Sequence, residues 1–149
     1  MSRSILILAS TSRYRRELLA RLGLEFIAIP PAIDEIPASG EAPEATAIRL
    51  ARAKALAVAA THRDSVVIGS DQVAESGGLR LDKPGHRENA IRQLSTVSGR
   101  TVIFHTAVCV VGPGAAPAEA LVPTEVSFRS LTSTQIERYV DREQPYDCA

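Results

Sequence analysis

The sequence predicts a single α/β domain, residues 1–149, built on a mixed twisted sheet with flanking helices, and three observations carry that expectation. Residues 5–9 and 66–69 are short, unbroken apolar runs, the pattern of strands buried on both faces. Residues 44–60 and 87–98 instead repeat their apolar positions at helical spacing. Residues 102–111 and 121–128 then read as two long strands joined by a loop containing Gly112-Pro113-Gly114, so strands and helices alternate before a β-rich end.

Taken in order, the first apolar run leads into Ser10-Thr11-Ser12, which supplies helix N-cap chemistry. The helix that follows carries Leu18, Leu19 and Leu22 at helical spacing and stops at Gly23. Residues 26–31 read as a second strand, and residues 33–43, rich in Pro, Gly, Ser and acids, as a loop before the long helix. Gly77-Gly78 makes a hairpin turn after the strand at 66–69. In the helix at 87–98, Ala90, Ile91, Leu94 and Val97 face inward, and Gly99 ends it. Thr132 and Gln135 have capping-box spacing ahead of Ile136, Tyr139 and Val140, so a last helix follows.

Composition narrows the partners. The formal net charge is zero, so the chain lacks the global positive field that holds a nucleic-acid or membrane-surface binder on its target. A small anionic ligand met by a local cluster is expected instead. Cys109 and Cys148 have neither CxxC nor Cys/His spacing, which argues against a zinc site or a disulfide framework and fits a cytoplasmic setting. No stretch approaches the roughly 18 apolar residues of a membrane helix.

Three clusters carry chemistry. In Ser10-Thr11-Ser12-Arg13-Tyr14-Arg15-Arg16, arginines crowd a helix start that the backbone dipole already makes positive, a conflict that a bound phosphate chain would relieve. A solvated cationic face, with acids from Asp34, Glu35 or elsewhere as partners, is the alternative. Lys54 falls on the same helix face as Ala47, Leu50, Ala51 and Val58, whereas Arg49 and Arg52 point elsewhere. An inward lysine requires an anionic partner or a wet cleft, unless it snorkels to solvent. Gly69-Ser70-Asp71-Gln72 ends the second apolar strand, where ligands of open α/β sheets collect, and Asp82-Lys83-Pro84 follows the hairpin. Asp71 there can hold Mg²⁺ and orient water, or merely cap a loop.

Together, LILASTSRYRRELLARLGLEF, the RLARAKA helix, VIGSDQV, LDKP and LSTVSGRTVIFHTAV closely resemble the Maf family of nucleotide pyrophosphatases, and the likeness continues through VSFRSLTSTQIERYVDREQPYDCA. The resemblance implies an inosine-triphosphate-pyrophosphatase-like fold with a cleft between two lobes, and hydrolysis of a nucleoside triphosphate to the monophosphate and pyrophosphate. It points to Ser10, Arg15, Arg16, Glu35, Lys54, Asp71 and Lys83 as the functional set. SDQV and an aromatic residue before the arginine pair are similar to the YceF-type branch, which acts on 7-methylguanosine triphosphate. Tyr14 stands where that branch usually has tryptophan, and Asp82 where the family usually has glycine. Relatives in the family continue past Ala149 with a further acidic site residue and the last strands and helix. Dimerisation or aggregation through an unpaired sheet edge is therefore expected.

The expected mechanism has Glu35 and Asp71 holding a divalent cation, Mg²⁺ or Mn²⁺, with Asp71 also acting on the attacking water. Arg15, Arg16, Lys54 and Lys83 neutralise the phosphates, while Tyr14 and Gln72 read the base. The alternatives are a dTTP/UTP pyrophosphatase of the same family, or a non-catalytic nucleotide-binding regulator of cell division.

Overall fold

The computed structural model describes residues 4–148, and the elements along them are β1 (Leu6–Ala9), α1 (Arg13–Ala20), β2 (Ile27–Ile29), α2 (Pro43–Ala59), β3 (Val66–Ser76), β4 (Leu79–Leu81), α3 (Arg87–Val97), β5 (Thr101–Val111), β6 (Ala118–Ser127) and α4 (Ser133–Glu143). One sheet runs in the order β2-β1-β3-β5-β6, with β4 paired to β3. β1 pairs in parallel with both β2 and β3, and β3 with β4 antiparallel, so the sheet is mixed as the sequence predicts. No helix of the described residues is long and apolar enough to cross a membrane.

The chain divides into two compact units, residues 4–72 with 106–122, and residues 73–105 with 123–148. The core of the first unit joins Ile7, Leu8 and Ala9 of β1 and Val67 of β3 to the alanine-rich face of α2, where Ala47, Ala51 and Ala55 are each at most 1% exposed. Small residues on that face let the helix lie very close to the sheet. At Gly69 a Cβ atom would stand 2.2 Å from the Ala51 carbonyl oxygen and 2.6 Å from the Ala55 nitrogen. Only glycine admits the α2 backbone at that point.

In the second unit Ala74, Val97 and Val102 pack with Leu81, Leu94, Phe104 and Phe128. Ala90, Ile136 and Val140 form a neighbouring cluster beneath α3 and α4. The α4 start carries the full capping box, Gln135 N donating to Thr132 Oγ1 and Thr132 N to Gln135 Oε1. An apolar cavity of about 450 Å³ lies among Leu94, Phe104, Phe128, Ile136 and Tyr139, and none of the sequence-predicted site residues lines it.

One expectation requires correction. The strand containing Asp71 does not end at Gly69-Ser70; it continues to Ser76, and its buried residues change from odd positions, 67 to 73, to even ones, 74 and 76. The apolar run marked only the part paired with β1, because Ser70, Asp71 and Gln72 are polar and the apolar signal stops there. No residue of α1 is buried: Leu18 is 56% exposed, and Leu22, in the turn that follows the helix, is 67% exposed. Helical periodicity identifies an apolar face, but it does not say what covers that face.

Candidate active site

The site is built around Lys54. Helix α2 carries it on the buried face, 4% exposed, and its ammonium donates to Asp71 Oδ1 at 2.8 Å. Glu35 Oε1 lies 2.9 Å from the same nitrogen. A lysine in this position is stable because it is paired twice; an unpaired buried ammonium would be strongly unfavourable. Asp71 is 7% exposed, whereas the Glu35 side chain is 56% exposed on the segment between β2 and α2. Two carboxylates therefore converge on one cation from different parts of the chain.

Strand pairing sets where Asp71 stands. The parallel register aligns Ala9 with Gly69, and β1 ends there, so β3 carries Asp71 two residues past the end of its parallel neighbour. The position matches the carboxyl edge at which ligands of parallel sheets collect, although Asp71 is itself inside a strand. Gly69 matters on the same face. Its missing side chain brings the turn of α2 between Ala51 and Ala55 against β3, and Lys54 belongs to that turn.

From the end of β1 the chain turns into α1 through Ser10-Thr11-Ser12. Ser10 is 5% exposed, and its hydroxyl accepts from Ser12 N at 3.0 Å. Ser12 is the N-cap, its hydroxyl accepting from Arg15 N at 3.4 Å. No acidic residue lies in the first turn of α1. Arg15 is half-buried and Arg16 exposed, and neither forms an ion pair among the described residues, so the alternative pairing with Asp34 or Glu35 is not formed. Tyr14 is 40% exposed, with the Arg13 guanidinium 4.7 Å from its ring centre and donating to its hydroxyl at 2.7 Å. One face of that ring is covered by a cation already.

Gln72 is exposed, and strand alternation directs it to the sheet face opposite Asp71. Thr106 of β5 donates to its carboxamide oxygen at 2.9 Å, and Ser70 Oγ donates to the Ala107 carbonyl at 2.9 Å. Lys83 belongs to the second unit, on an exposed stretch after β4. The neighbouring backbone is tied to α3, with Gln93 donating to the Asp82 carbonyl at 2.7 Å and Asn89 to that of Pro84 at 3.1 Å. Within the first unit the structure thus brings Glu35, Lys54 and Asp71 into contact and sets the Ser10 loop at the end of the adjoining strand.

The arginines set aside as pointing away from the core do so, but each has a partner that the sequence reading missed. Arg49 Nε and Nη2 hold both oxygens of Glu41 at 2.7 and 2.8 Å, and Arg52 holds Glu119 at 2.5 and 2.7 Å. Arg49 first, and the Thr46 hydroxyl next, lower the Glu41 carboxyl from 4.5 to about 2. The Arg52 guanidinium likewise holds Glu119 below the usual carboxylate range, and burial followed by nearby Glu119 raises the Cys109 thiol. An acid just ahead of Pro43, the first residue of α2, was the available sequence signal for Glu41. Thr106 gave none, because its role depends on the β3–β5 pairing.

The Maf-like protein family matches residues 5–149. The chain belongs to the Maf family. Relatives in it include the 7-methyl-GTP pyrophosphatase of Methylobacillus flagellatus, 54% identical over 145 residues that cover 97% of this chain and 76% of the relative. That of Xanthomonas oryzae pv. oryzae is 57% identical over 144 residues, 97% of this chain and 75% of the relative. Among solved structures, the Ham1 protein of Staphylococcus aureus superposes with a TM-score of 0.56 at 15% identity, over 83% of this chain and 71% of that one. A HAM1 protein from Coxiella burnetii gives 0.52 at 17% identity, over 83% and 72%. Those two likenesses establish that this Maf chain has the Ham1-type α/β fold.

Proposed function

We propose that the chain is a nucleoside triphosphate pyrophosphatase that takes 7-methyl-GTP as substrate and releases 7-methyl-GMP and pyrophosphate. The observation that carries the reading is the convergence of Asp71 and Glu35 on the buried Lys54 ammonium, in a family whose similar members bear that activity in their names. The carboxylates of Asp71 and Glu35 would hold a divalent ion. The donor set fits Mg²⁺ or Mn²⁺, which favour hard oxygen ligands. Among the described residues no third His, Cys, Asp or Glu joins the pair, so substrate phosphates and water would complete the shell. When bound, the ion supplies charge neutralisation on the phosphate oxygens.

The residues then divide the work. Asp71 orients water for in-line attack at the α-phosphorus and accepts its proton; the bond from that phosphorus to the β-side oxygen breaks, and the electron pair leaves with pyrophosphate. Lys54 holds Asp71 in place through their 2.8 Å hydrogen bond and carries positive charge to the phosphates. Arg15 and Arg16, which form no ion pair among the described residues, bind the triphosphate with the amides at the start of α1 and the Ser10 hydroxyl. Lys83 is assigned to the phosphates through its Asp82-Lys83-Pro84 motif. Tyr14 and Gln72 are assigned to the base.

Pyrophosphate release measured with 7-methyl-GTP, GTP, dTTP and UTP, each with Mg²⁺, tests the reading. A higher kcat/KM for the methylated nucleotide is expected. No pyrophosphate from any of the four, with the nucleotides still bound, would establish a binding protein instead.

A further inference from the structure

Glu35 poses a physical problem. Its carboxylate is more than half exposed, on a stretch from Pro30 to Ala42 that contains neither strand nor helix. The contact with the buried Lys54 anchors only the tip of the Glu35 side chain and does not by itself hold the backbone of such a segment in register. Another device must fix the backbone around Glu35.

The hydrogen bonds identify one. Ile36, the next residue, is tied at both of its polar backbone groups: its N–H donates to Asp34 Oδ1 at 2.9 Å, and its carbonyl accepts from Arg49 Nη2 at 3.3 Å. Arg49 is itself fixed by its two bonds to Glu41. Glu41 also accepts from Ala38 N at 3.1 Å and from the Thr46 hydroxyl at 2.8 Å, where Thr46 is a buried residue of α2. One planar guanidinium therefore grips the segment twice, five residues ahead of Lys54 on the same helix. Helix α2 carries both the cation that Glu35 meets and the clamp that holds the Glu35 backbone.

We propose that Arg49, locked by Glu41, is a positioning residue that sets the Glu35 carboxylate against Lys54 and Asp71. The proposal rests on the role given to Glu35 above. Arg49 touches no reacting atom in this account and acts only through Glu35.

A double-mutant cycle on the full chain, read as kcat/KM for 7-methyl-GTP with Mg²⁺, tests it. Arg49→Ala is expected to lower kcat/KM about ten-fold or more, since misplacing a catalytic group by about 1 Å can cost about 100-fold. In the Glu35→Gln background the same change should alter kcat/KM by less than about two-fold. Arg49→Lys should stay impaired, because an ammonium cannot span both Glu41 oxygens and the Ile36 carbonyl. Glu41→Gln, with circular dichroism to establish folding, gives the same readout if Arg49→Ala does not fold. Equal losses from Arg49→Ala, or from Glu41→Gln in its place, in the wild-type and Glu35→Gln backgrounds would overturn the clamp and leave the role of Glu35 standing. A Glu35→Gln variant as active as wild type would overturn both.

Discussion

The Lys54 ammonium bridges Asp71 and Glu35 at 2.8 and 2.9 Å, and it is the buried member of that trio together with Asp71. Each of the two buried groups is stable only in the presence of the other. Removing one member of such a pair leaves an uncompensated charge, at a cost of about 3–5 kcal/mol.

Asp71→Asn keeps a carbonyl oxygen for Lys54 and loses the negative charge, so nucleotide affinity should stay within a few-fold while pyrophosphate release disappears. Lys54→Ala should remove turnover and also lower the melting temperature, as Asp71 is left alone in the core. Turnover assays beside a nucleotide-binding titration and thermal melts check both. An Asp71→Asn variant that retains full activity would show that another group acts on the water.

Gly69→Ala places a methyl group on the α2 backbone, 2.2 Å from the Ala51 carbonyl. Helix and strand must separate, at roughly 1–3 kcal/mol. Because Lys54 and Asp71 sit on the two separating elements, kcat/KM should fall along with stability. The same substitution at Gly77, where a Cβ meets nothing within 4 Å, should leave kcat/KM unchanged and cost only the strain of its positive φ of 57°. Melting curves and kinetics on the two variants together separate close packing from turn strain.

Acid should loosen the Glu35 segment. Glu41 is held down from 4.5 to about 2 by Arg49 and Thr46, so the folded chain favours its ionised form. The stability this confers is complete above pH 4.5 and is lost as pH falls through about 2. Glu41→Gln should therefore melt earlier than wild type at neutral pH, and the gap should close towards pH 2. Parallel curves of melting temperature against pH would show that the Arg49–Glu41 pair does not persist in solution.

Base preference is the fourth expectation. A methylated guanine ring is cationic, and an open aromatic face attracts it by about 0.5–2 kcal/mol more than the neutral base. Arg13 covers one face of Tyr14, so the nucleotide must use the other or displace the arginine. Tyr14→Ala should lower the preference for 7-methyl-GTP over GTP by less than about 30-fold, the upper end of that range, and Arg13→Ala should raise it. Competition kinetics with both nucleotides decides the matter.

Much of the site was legible because its parts are local. Ser10 to Ser12 announces a helix start, Lys54 lies on the buried stripe of its helix, and Asp71 follows an apolar run. What escaped depended on distance. Nothing near Glu35 in sequence reveals that Arg49 ties the next residue through its carbonyl, and the Gln72–Thr106 contact exists only because β5 lies beside β3. The exposure of Leu18 and Leu22 was not legible for a related reason, since a helical stripe specifies which side chains face one way without specifying a neighbour.

Cys109 and Cys148 differ in a way that gives the protein two chemical reporters. The Cys109 side chain is sealed in the first unit and its thiol is pushed up by burial and by Glu119, so it has little thiolate with which to react. Cys148 is only half-buried. A maleimide dye should thus label the native protein at Cys148 alone, giving a single defined attachment point without mutagenesis. Delayed labelling at Cys109 then times the opening, at that one position, of the unit that holds Lys54 and Asp71, without any substrate.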